Sequence, residues 1–291
     1  MPSINPLLAD APLPLFDQIR AEHVEPALRE LLSAQRDKIQ AIEHLENPTF
    51  ASVVVPLEML RHRLSRVWSP VGHLNGVLNS EPLRTAYNAC LPLLSEYYTD
   101  LSQSEPLYRA YQHILAREGG TLDAVQRALL ERSLRDFRLA GVALDAPRKQ
   151  RFKALMVELT QLQAQFEEHV LDATNAFRYA VTDPQAVRGV NESILAQAAQ
   201  RAREQGLGGW LFTLDQPTYV AIQTDAESGD LRRVFYEAWS TRASDRGPSA
   251  PRFDNGAVIE QILRCRHELA RLLDFPSFAD YALADLSLIH I

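Results

Sequence analysis

The chain has 291 residues, of which 46% are hydrophobic and 23% are charged, and its formal net charge at pH 7 is −7. This length suits one large domain or two smaller ones. The mild acidity and the scattered basic residues argue against nucleic acid as a partner, and no apolar run is long enough to cross a bilayer.

The cysteines indicate a reducing compartment. Cys90 and Cys265 are too few for a disulfide framework and both fall in helical patterns, so we expect buried free thiols. The first residues lack the basic and apolar regions of a signal peptide. These features predict a cytoplasmic protein without a membrane partner, and we expect a monomer.

Prolines and glycines divide the first 120 residues. Four prolines in residues 1–20 predict an extended arm, and Thr49 is a plausible helix cap. Residues 68–79 look less regular, and Pro82 and Pro92 are expected to interrupt their helix. The predicted helices are 22–43, 50–64, 81–101 and 105–117.

The strongest periodic signal lies between residues 121 and 177. Thr121 is placed to cap a helix that stops near Gly141. A second helix, after Pro147, carries apolar residues at alternating spacings of three and four. About thirty helical residues span roughly 45 Å, so the pair is expected to form a long antiparallel hairpin, like a wall.

The pattern then changes towards a small sheet in a mainly helical protein. Phe177–Val181 alternates like a strand, and 210–214 and 219–223 are predicted strands around a turn at Pro217. Asp245–Ser249 is expected to be a mobile loop. The predicted helices of this part are 191–205, 231–240 and 258–273.

A helical zinc site of the His-Glu-x-x-His kind needs two histidines four residues apart, so that they share one face of the helix. No two of the eight histidines have this spacing. The nearest match is His267-Glu268-Leu269-Ala270-Arg271, where a cation that cannot coordinate zinc replaces the second histidine. We therefore reject it as a metal site.

Other motifs that carry chemistry are also lacking. The sequence has no nucleophile elbow and no phosphate-binding glycine loop. Glu43, Glu167 and Glu168 are interpreted as solvated helix residues rather than acid–base pairs. The aromatic residues between Trp210 and Tyr219 are explained by packing of the sheet at least as well as by a peptide cleft.

A broad resemblance adds what these motifs do not. The matching segments include Asn5–Leu8, Phe16–Ile19, Glu22–Ala27, His73–Asn75, Ala86–Ser95, Leu139–Val142, Arg151–Lys153, Val170–Ala176, Thr213–Asp215, Asp254–Glu260, Arg266–Leu273 and Phe278–Ala282. Together they resemble the N-terminal part of oligopeptidase A-type enzymes, in the thimet oligopeptidase-like zinc metallopeptidase family.

The resemblance implies two mostly helical halves around a deep channel. One zinc ion would lie at its floor, held by a His-Glu-x-x-His helix and a downstream glutamate, with the motif's own glutamate as general base. Narrow walls would restrict substrates to short peptides. No zinc ligand or catalytic glutamate of the family maps onto this chain, so we assign no catalytic, cofactor-binding or metal residue.

The resemblance also implies a domain organisation. We predict an arm over 1–20, a helical N-terminal domain forming a channel wall over 21–180, and a small mixed α/β segment over 181–291 that begins a truncated helical catalytic domain. The tail 285–291 does not resemble the family, and we interpret it as the product of a truncated or misassembled reading frame.

The leading hypothesis is therefore an N-terminal fragment of a cytoplasmic zinc oligopeptidase that is inactive alone. The alternative is a non-catalytic helical scaffold that binds peptides or a protein partner. An extended exposed apolar face on the 258–273 helix would favour the fragment, because that face would have lost its neighbour.

Overall fold

The computed structural model describes residues 5–286, which divide into two compact units: residues 5–161 with 264–286, and residues 162–263. The helices are α1 (Ala21–Glu43), α2 (Val55–Val77), α3 (Glu81–Ser102), α4 (Glu105–Glu118), α5 (Ala124–Leu139), α6 (Ala146–Ala176), α7 (Glu192–Glu204), α8 (Gln216–Asp225), α9 (Gly229–Ser240), α10 (Gly256–Leu272) and α11 (Phe278–Leu283). The strands are β1 (Tyr179–Val181) and β2 (Trp210–Phe212). The predicted mainly α fold with a small sheet is confirmed.

Helices α1 to α5 enclose the core of the first unit. Helix α1 packs on α2, α3 and α4, and α5 packs on α4. Their buried positions recur every three or four residues, as in Val24, Leu28 and Leu31 of α1. The core therefore follows from the apolar periodicity of each helix.

Three predicted interruptions are wrong. Residues 68–77 are not irregular, because α2 runs through Pro70 to Val77 and keeps Leu64, Val67 and Val71 buried on one face. Pro82 lies in the first turn of α3, where a missing N–H costs little. Burial of the helix face on both sides of Pro92 holds α3 continuous there.

A π-helical turn, Phe50–Val54, precedes α2. Thr49 caps this turn as predicted, and its hydroxyl accepts from the backbone N–H of Ser52. Helix α5 is capped by Asp123 and not by Thr121. The Asp123 carboxylate accepts a hydrogen bond from the backbone N–H of Gln126 at 2.8 Å, and the Gln126 side-chain oxygen accepts one from the backbone N–H of Asp123, which is a capping box.

Gly141 ends α5 as predicted. Its φ is +76°, and the N–H groups of Gly141 and Val142 donate to the carbonyls of Arg138 and Phe137. This is a Schellman motif, in which the left-handed residue favours glycine.

The second predicted helix of the hairpin is present as the 31-residue α6. Its first turns are tied to α3 and the turn after it, since Lys153 pairs with Asp100 at 2.9 Å and Lys149 donates to the Gln103 carbonyl. Pairing of α5 with α6 as a long antiparallel wall remains a prediction.

A buried amide lies in the core of the first unit. Gln35 of α1 is 2% exposed, its Nε2 donates to the Leu60 carbonyl of α2 at 2.8 Å, and its Oε1 accepts from the Tyr97 hydroxyl of α3 at 2.7 Å. One side chain therefore connects three helices.

The segment before α1 contacts the rest of the first unit. Leu7 and Ile19 are buried in the core, and the guanidinium groups of Arg63 and Arg66 donate to the Leu8 and Ala11 carbonyls. The predicted domain boundaries, at residue 20 between the arm and the helical N-terminal domain and at residue 180 after that domain, remain predictions.

The second unit contains the small sheet. Strands β1 and β2 pair antiparallel, with Tyr179 opposite Phe212 and Val181 opposite Trp210. Phe212 and Phe235 are fully buried here, and their rings meet edge to face at 6.0 Å. Strands predicted near 179 and 210 are confirmed.

The strand predicted over 219–223 is wrong, because these residues belong to α8. The Asp215 carboxylate caps that helix by accepting from Thr218 N at 3.0 Å, and Pro217 occupies the first turn. A short apolar run does not distinguish helix from strand by period, and the cap decides here.

Two sequence predictions fall partly outside the described residues. The tail 285–291 is described only to residue 286, so residues 287–291 lie outside, as do residues 1–4 of the predicted arm. Among residues 5–286, no helix combines the length and apolarity needed to cross a membrane.

The turn before β2 depends on a left-handed glycine, which yields a first prediction. A Cβ at Gly209 would lie 2.2 Å from the Val181 carbonyl oxygen, and its φ is +76°. Gly209→Ala should therefore destabilise the second unit by about 1–3 kcal/mol, measured by urea unfolding followed by tryptophan fluorescence.

The matched control is Gly208→Ala, since a Cβ there meets nothing within 4 Å. It should change stability by less than about 0.5 kcal/mol. Equal unfolding midpoints for the two variants would contradict the role of Gly209.

Candidate functional site

The first unit contains an open cavity of about 710 Å³. Its walls are mostly apolar and aromatic, and they come from α2, α3, α4, α5, α6 and α11. Principal lining residues are Leu57, Trp68, Leu94, Tyr98, Tyr111, Phe137, Phe152, Met156 and Tyr281. A space of this size and character suits binding of an apolar group.

A few polar groups interrupt these walls. Arg61 pairs with Glu58 at 3.1 Å, so its charge is partly balanced. Asp136 and Asp285 line the cavity and lie close enough to Tyr281 to raise the pKa of that phenol, although its burial is the larger cause.

The tyrosines of the cavity are neutral at physiological pH. Burial raises the pKa of Tyr111 to about 12 and also raises the pKa of Tyr98. Phenols with such pKa values do not act as general bases near pH 7. The tyrosines of this cavity therefore supply apolar contact and hydrogen bonds rather than a general base.

The second unit has its own cavity, of about 830 Å³, beside β1. Phe177, Tyr179 and Phe253 contribute aromatic walls, with Arg178 and Glu237 as charged groups. Arg178 is held locally, because its Nη1 donates to the Asn175 and Phe177 carbonyls at 2.7 Å each.

The aromatic residues between Trp210 and Tyr219 are used mainly for packing. Phe212 is fully buried, and the Tyr219 ring stacks on Trp239 with centroids 4.4 Å apart. Trp210 is half-buried against the same core. Of the two interpretations of these rings, the structure favours packing.

In the incomplete zinc motif that begins at His267, the glutamate is already paired with another side chain. His267 is exposed on α10, and Glu268 forms a two-pronged ion pair with Arg151 of α6, with one N···O distance of 2.6 Å. The hydrogen bond from Arg151 is the main reason that the pKa of Glu268 lies below its usual range. A carboxylate held in this way is a poor general base.

The described part of the chain does not fit a zinc site. Within residues 5–286, no group of three or more His, Cys, Asp or Glu side chains is arranged to hold a metal ion. Glu43 meets the Ser104 hydroxyl, and Glu167 is exposed on α6. Assignment of no catalytic or metal residue to this chain stays a prediction.

Asn255 lies in one of the segments that carry the resemblance, and its hydrogen bonds were not predicted from the sequence. It is 1% exposed and precedes α10, and its Nδ2 donates to the Phe166 carbonyl at 3.1 Å. Its Oδ1 accepts from His169 Nδ1 at 2.8 Å. This amide therefore joins the start of α10 to α6.

The thiols are buried and free, as predicted. Burial raises the pKa of Cys90 to about 11 and, together with Glu158, raises that of Cys265. Neither thiol has the lowered pKa of a catalytic cysteine.

The apolar face of α10 is largely covered. Val258, Ile262 and Leu269 are buried, whereas Ile259 and Leu263 are 44% and 58% exposed. An extended exposed apolar face on this helix would have favoured the fragment hypothesis, but the exposed apolar surface is limited to Ile259 and Leu263, one turn apart.

Comparison with known proteins gives two family matches in chain order. Residues 28–149 match "Neurolysin/Thimet oligopeptidase, N-terminal domain", and residues 222–287 match "Peptidase family M3". The second match ends at residue 287 and therefore includes the first three residues of the tail 285–291, which we predicted not to resemble the family.

Curated relatives agree with these matches. Oligopeptidase A of Haemophilus influenzae is 41% identical over 96% of this chain, and that of Escherichia coli is 42% identical over 96%. Organellar oligopeptidase A of Arabidopsis thaliana is 34% identical over 97%. The chain spans 41%, 42% and 36% of these proteins respectively, or about two fifths of their length.

The amide of Asn255 gives a second prediction. Asn255→Ala removes both of its hydrogen bonds and leaves the Phe166 carbonyl without this donor, so it should lower the free energy of unfolding by about 1–3 kcal/mol. Asn47→Ala, at an exposed position, serves as control in the same denaturant titration. A loss as small as that of the control would contradict the role of Asn255.

The Arg151–Glu268 pair gives a third prediction. Both side chains are about half exposed, so a double-mutant cycle with alanine should give a coupling energy of only about 0.5–1 kcal/mol. Because the pKa of Glu268 is lowered in the folded state, the coupling is present above the ordinary carboxyl pKa and disappears as pH falls through the lowered value.

The measurement is urea unfolding of the four proteins of the cycle at neutral and acidic pH. A coupling energy that does not change with pH would contradict this assignment.

Proposed function

We propose that this chain, which is similar along almost its whole length to the N-terminal part of oligopeptidase A, forms the non-catalytic N-terminal part of a zinc-dependent oligopeptidase. Its relatives are peptidases of family M3. Hydrolysis of short peptides would be the activity of the longer protein, and the role of this part would be to form one wall of the channel.

The observation that carries the proposal is the order and extent of the matches. An N-terminal-domain match over 28–149 is followed by a peptidase match over 222–287, and the relatives align over 96% of the chain. A similarity this broad is more specific than any single motif.

The division of labour follows from the chemistry of the side chains. The chain has no His-x-x-x-His pair, and Glu268 is paired with Arg151. We therefore propose that the zinc ligands and the general base come from a region of the longer protein that this chain does not contain. The chain alone would then bind no zinc and hydrolyse no peptide.

A second candidate is a helical scaffold that binds peptides or a protein partner without hydrolysis. The apolar cavities of the two units are the observation in its favour. We also propose a cytoplasmic location and a monomeric state, and the two free buried thiols are compatible with a reducing compartment.

The fourth prediction concerns activity. The purified chain should contain no stoichiometric zinc after dialysis and should not cleave a quenched fluorescent peptide. A chimera in which residues 1–284 replace the matched N-terminal part of E. coli oligopeptidase A should cleave it, and a chelator should stop the cleavage.

Metal content is measured by mass spectrometry and cleavage by fluorescence. Stoichiometric zinc with chelator-sensitive cleavage by the chain alone would refute its non-catalytic role. A folded, zinc-loaded chimera without activity would refute the channel-wall role and favour the scaffold.

A further inference from the structure

The cavity of the first unit presents apolar surface that the described residues leave uncovered. Tyr98 lines it with 44% of its surface exposed, and Trp68 and Met156 are only half-buried. Large aromatic and thioether side chains gathered around one open space form a surface that is stabilised when an apolar group covers it.

One hydroxyl in this cavity lacks a partner. Ser95 is 9% exposed and lines the cavity, yet within residues 5–286 its Oγ makes no hydrogen bond. A buried hydroxyl without a partner is costly, so it indicates a missing donor or acceptor. An occupant that is mostly apolar and carries one polar group would match both features of the cavity.

The described chain reaches the rim of this cavity at its last helix. Tyr281, Ala282 and Asp285 line the opening. Leu283 and Leu286, beside them in sequence, expose 49% and 58% of their surface. The last described helix therefore lies beside uncovered apolar surface.

We propose that this cavity is the docking site for an apolar segment from the region of a longer, oligopeptidase A-like protein that follows the part matched here. The proposal rests on the proposed function, because the relatives extend well beyond the two fifths of their length that this chain spans. The segment covers Tyr98 and Met156 and supplies a hydrogen bond to Ser95.

The test compares thiol labelling in the full 291-residue chain and in the chimera with E. coli oligopeptidase A. Tyr98→Cys places a thiol in the cavity, and Val125→Cys places one on α5 at a side chain that is 78% exposed. Site-resolved mass spectrometry separates these thiols from all others. The thiol of Tyr98→Cys should label about tenfold or more slowly in the chimera than in the chain alone, while the thiol of Val125→Cys should label equally in both.

Several results would overturn the proposal. Equal labelling of the Tyr98→Cys thiol in chain and chimera means that the cavity stays open. Slow labelling in the chain alone that depends on its concentration assigns the cavity to a second copy. Slow labelling in the chain alone that does not depend on its concentration means that the chain's own residues cover the cavity. If the thiol of Val125→Cys is protected in the chimera as strongly as that of Tyr98→Cys, the protection is not specific to the cavity.

Circular dichroism checks that each variant folds, and Met156→Cys provides a second position in the cavity if Tyr98→Cys does not fold. Labelling does not require catalysis. A protected cavity in an inactive chimera would therefore retain the docking site while refuting the proposed function, and an active chimera with an open cavity would do the reverse.

Discussion

The first unit depends on one constraint, which is that α1, α2 and α3 must keep a single longitudinal register. Apolar packing alone is non-directional and tolerates sliding of one helix along another. The buried amide of Gln35 removes that freedom, because it can meet both the Leu60 carbonyl and the Tyr97 hydroxyl in only one arrangement. Any slip would leave buried polar atoms without partners.

The second unit uses the same device at Asn255. Its two hydrogen bonds, to Phe166 and from His169, fix where α10 begins on α6. Asn255, in one of the segments that carry the resemblance, therefore has a structural use, so a segment can be characteristic of a family because of packing alone.

Apolar periodicity allowed most helices to be predicted, and turn chemistry located the end of α5 at Gly141. What failed was local. The sequence predicted irregularity over 68–79 and a break at Pro92. Helices α2 and α3 nevertheless continue through Pro70 and Pro92, because burial of one face of each helix outweighs one lost hydrogen bond. The run 219–223 has no decisive period of its own, so its helical state depends on the Asp215 cap.

The candidate site was harder to predict than the fold. Tyr98, Ser95 and Met156 each look like ordinary helix residues, and only tertiary packing brings them to one cavity. The polar contacts of Gln35 and Asn255 were not predicted for the same reason, since an isolated amide in a helix or just before one resembles a solvated residue in the sequence. By contrast, the sequence alone showed that the motif at His267 cannot bind zinc, because Arg271 occupies the position of the second histidine.

The prolines inside the long helices have a consequence for aggregation. Pro26, Pro70 and Pro92 lie within α1, α2 and α3, whose buried residues form much of the core of the first unit. If these helices open, each segment is exposed with a residue that cannot donate to a β-ladder. Conversion of the freed apolar segments into stacked cross-β strands is thereby hindered, so the same residues that weaken the helices slightly also protect the unfolded chain.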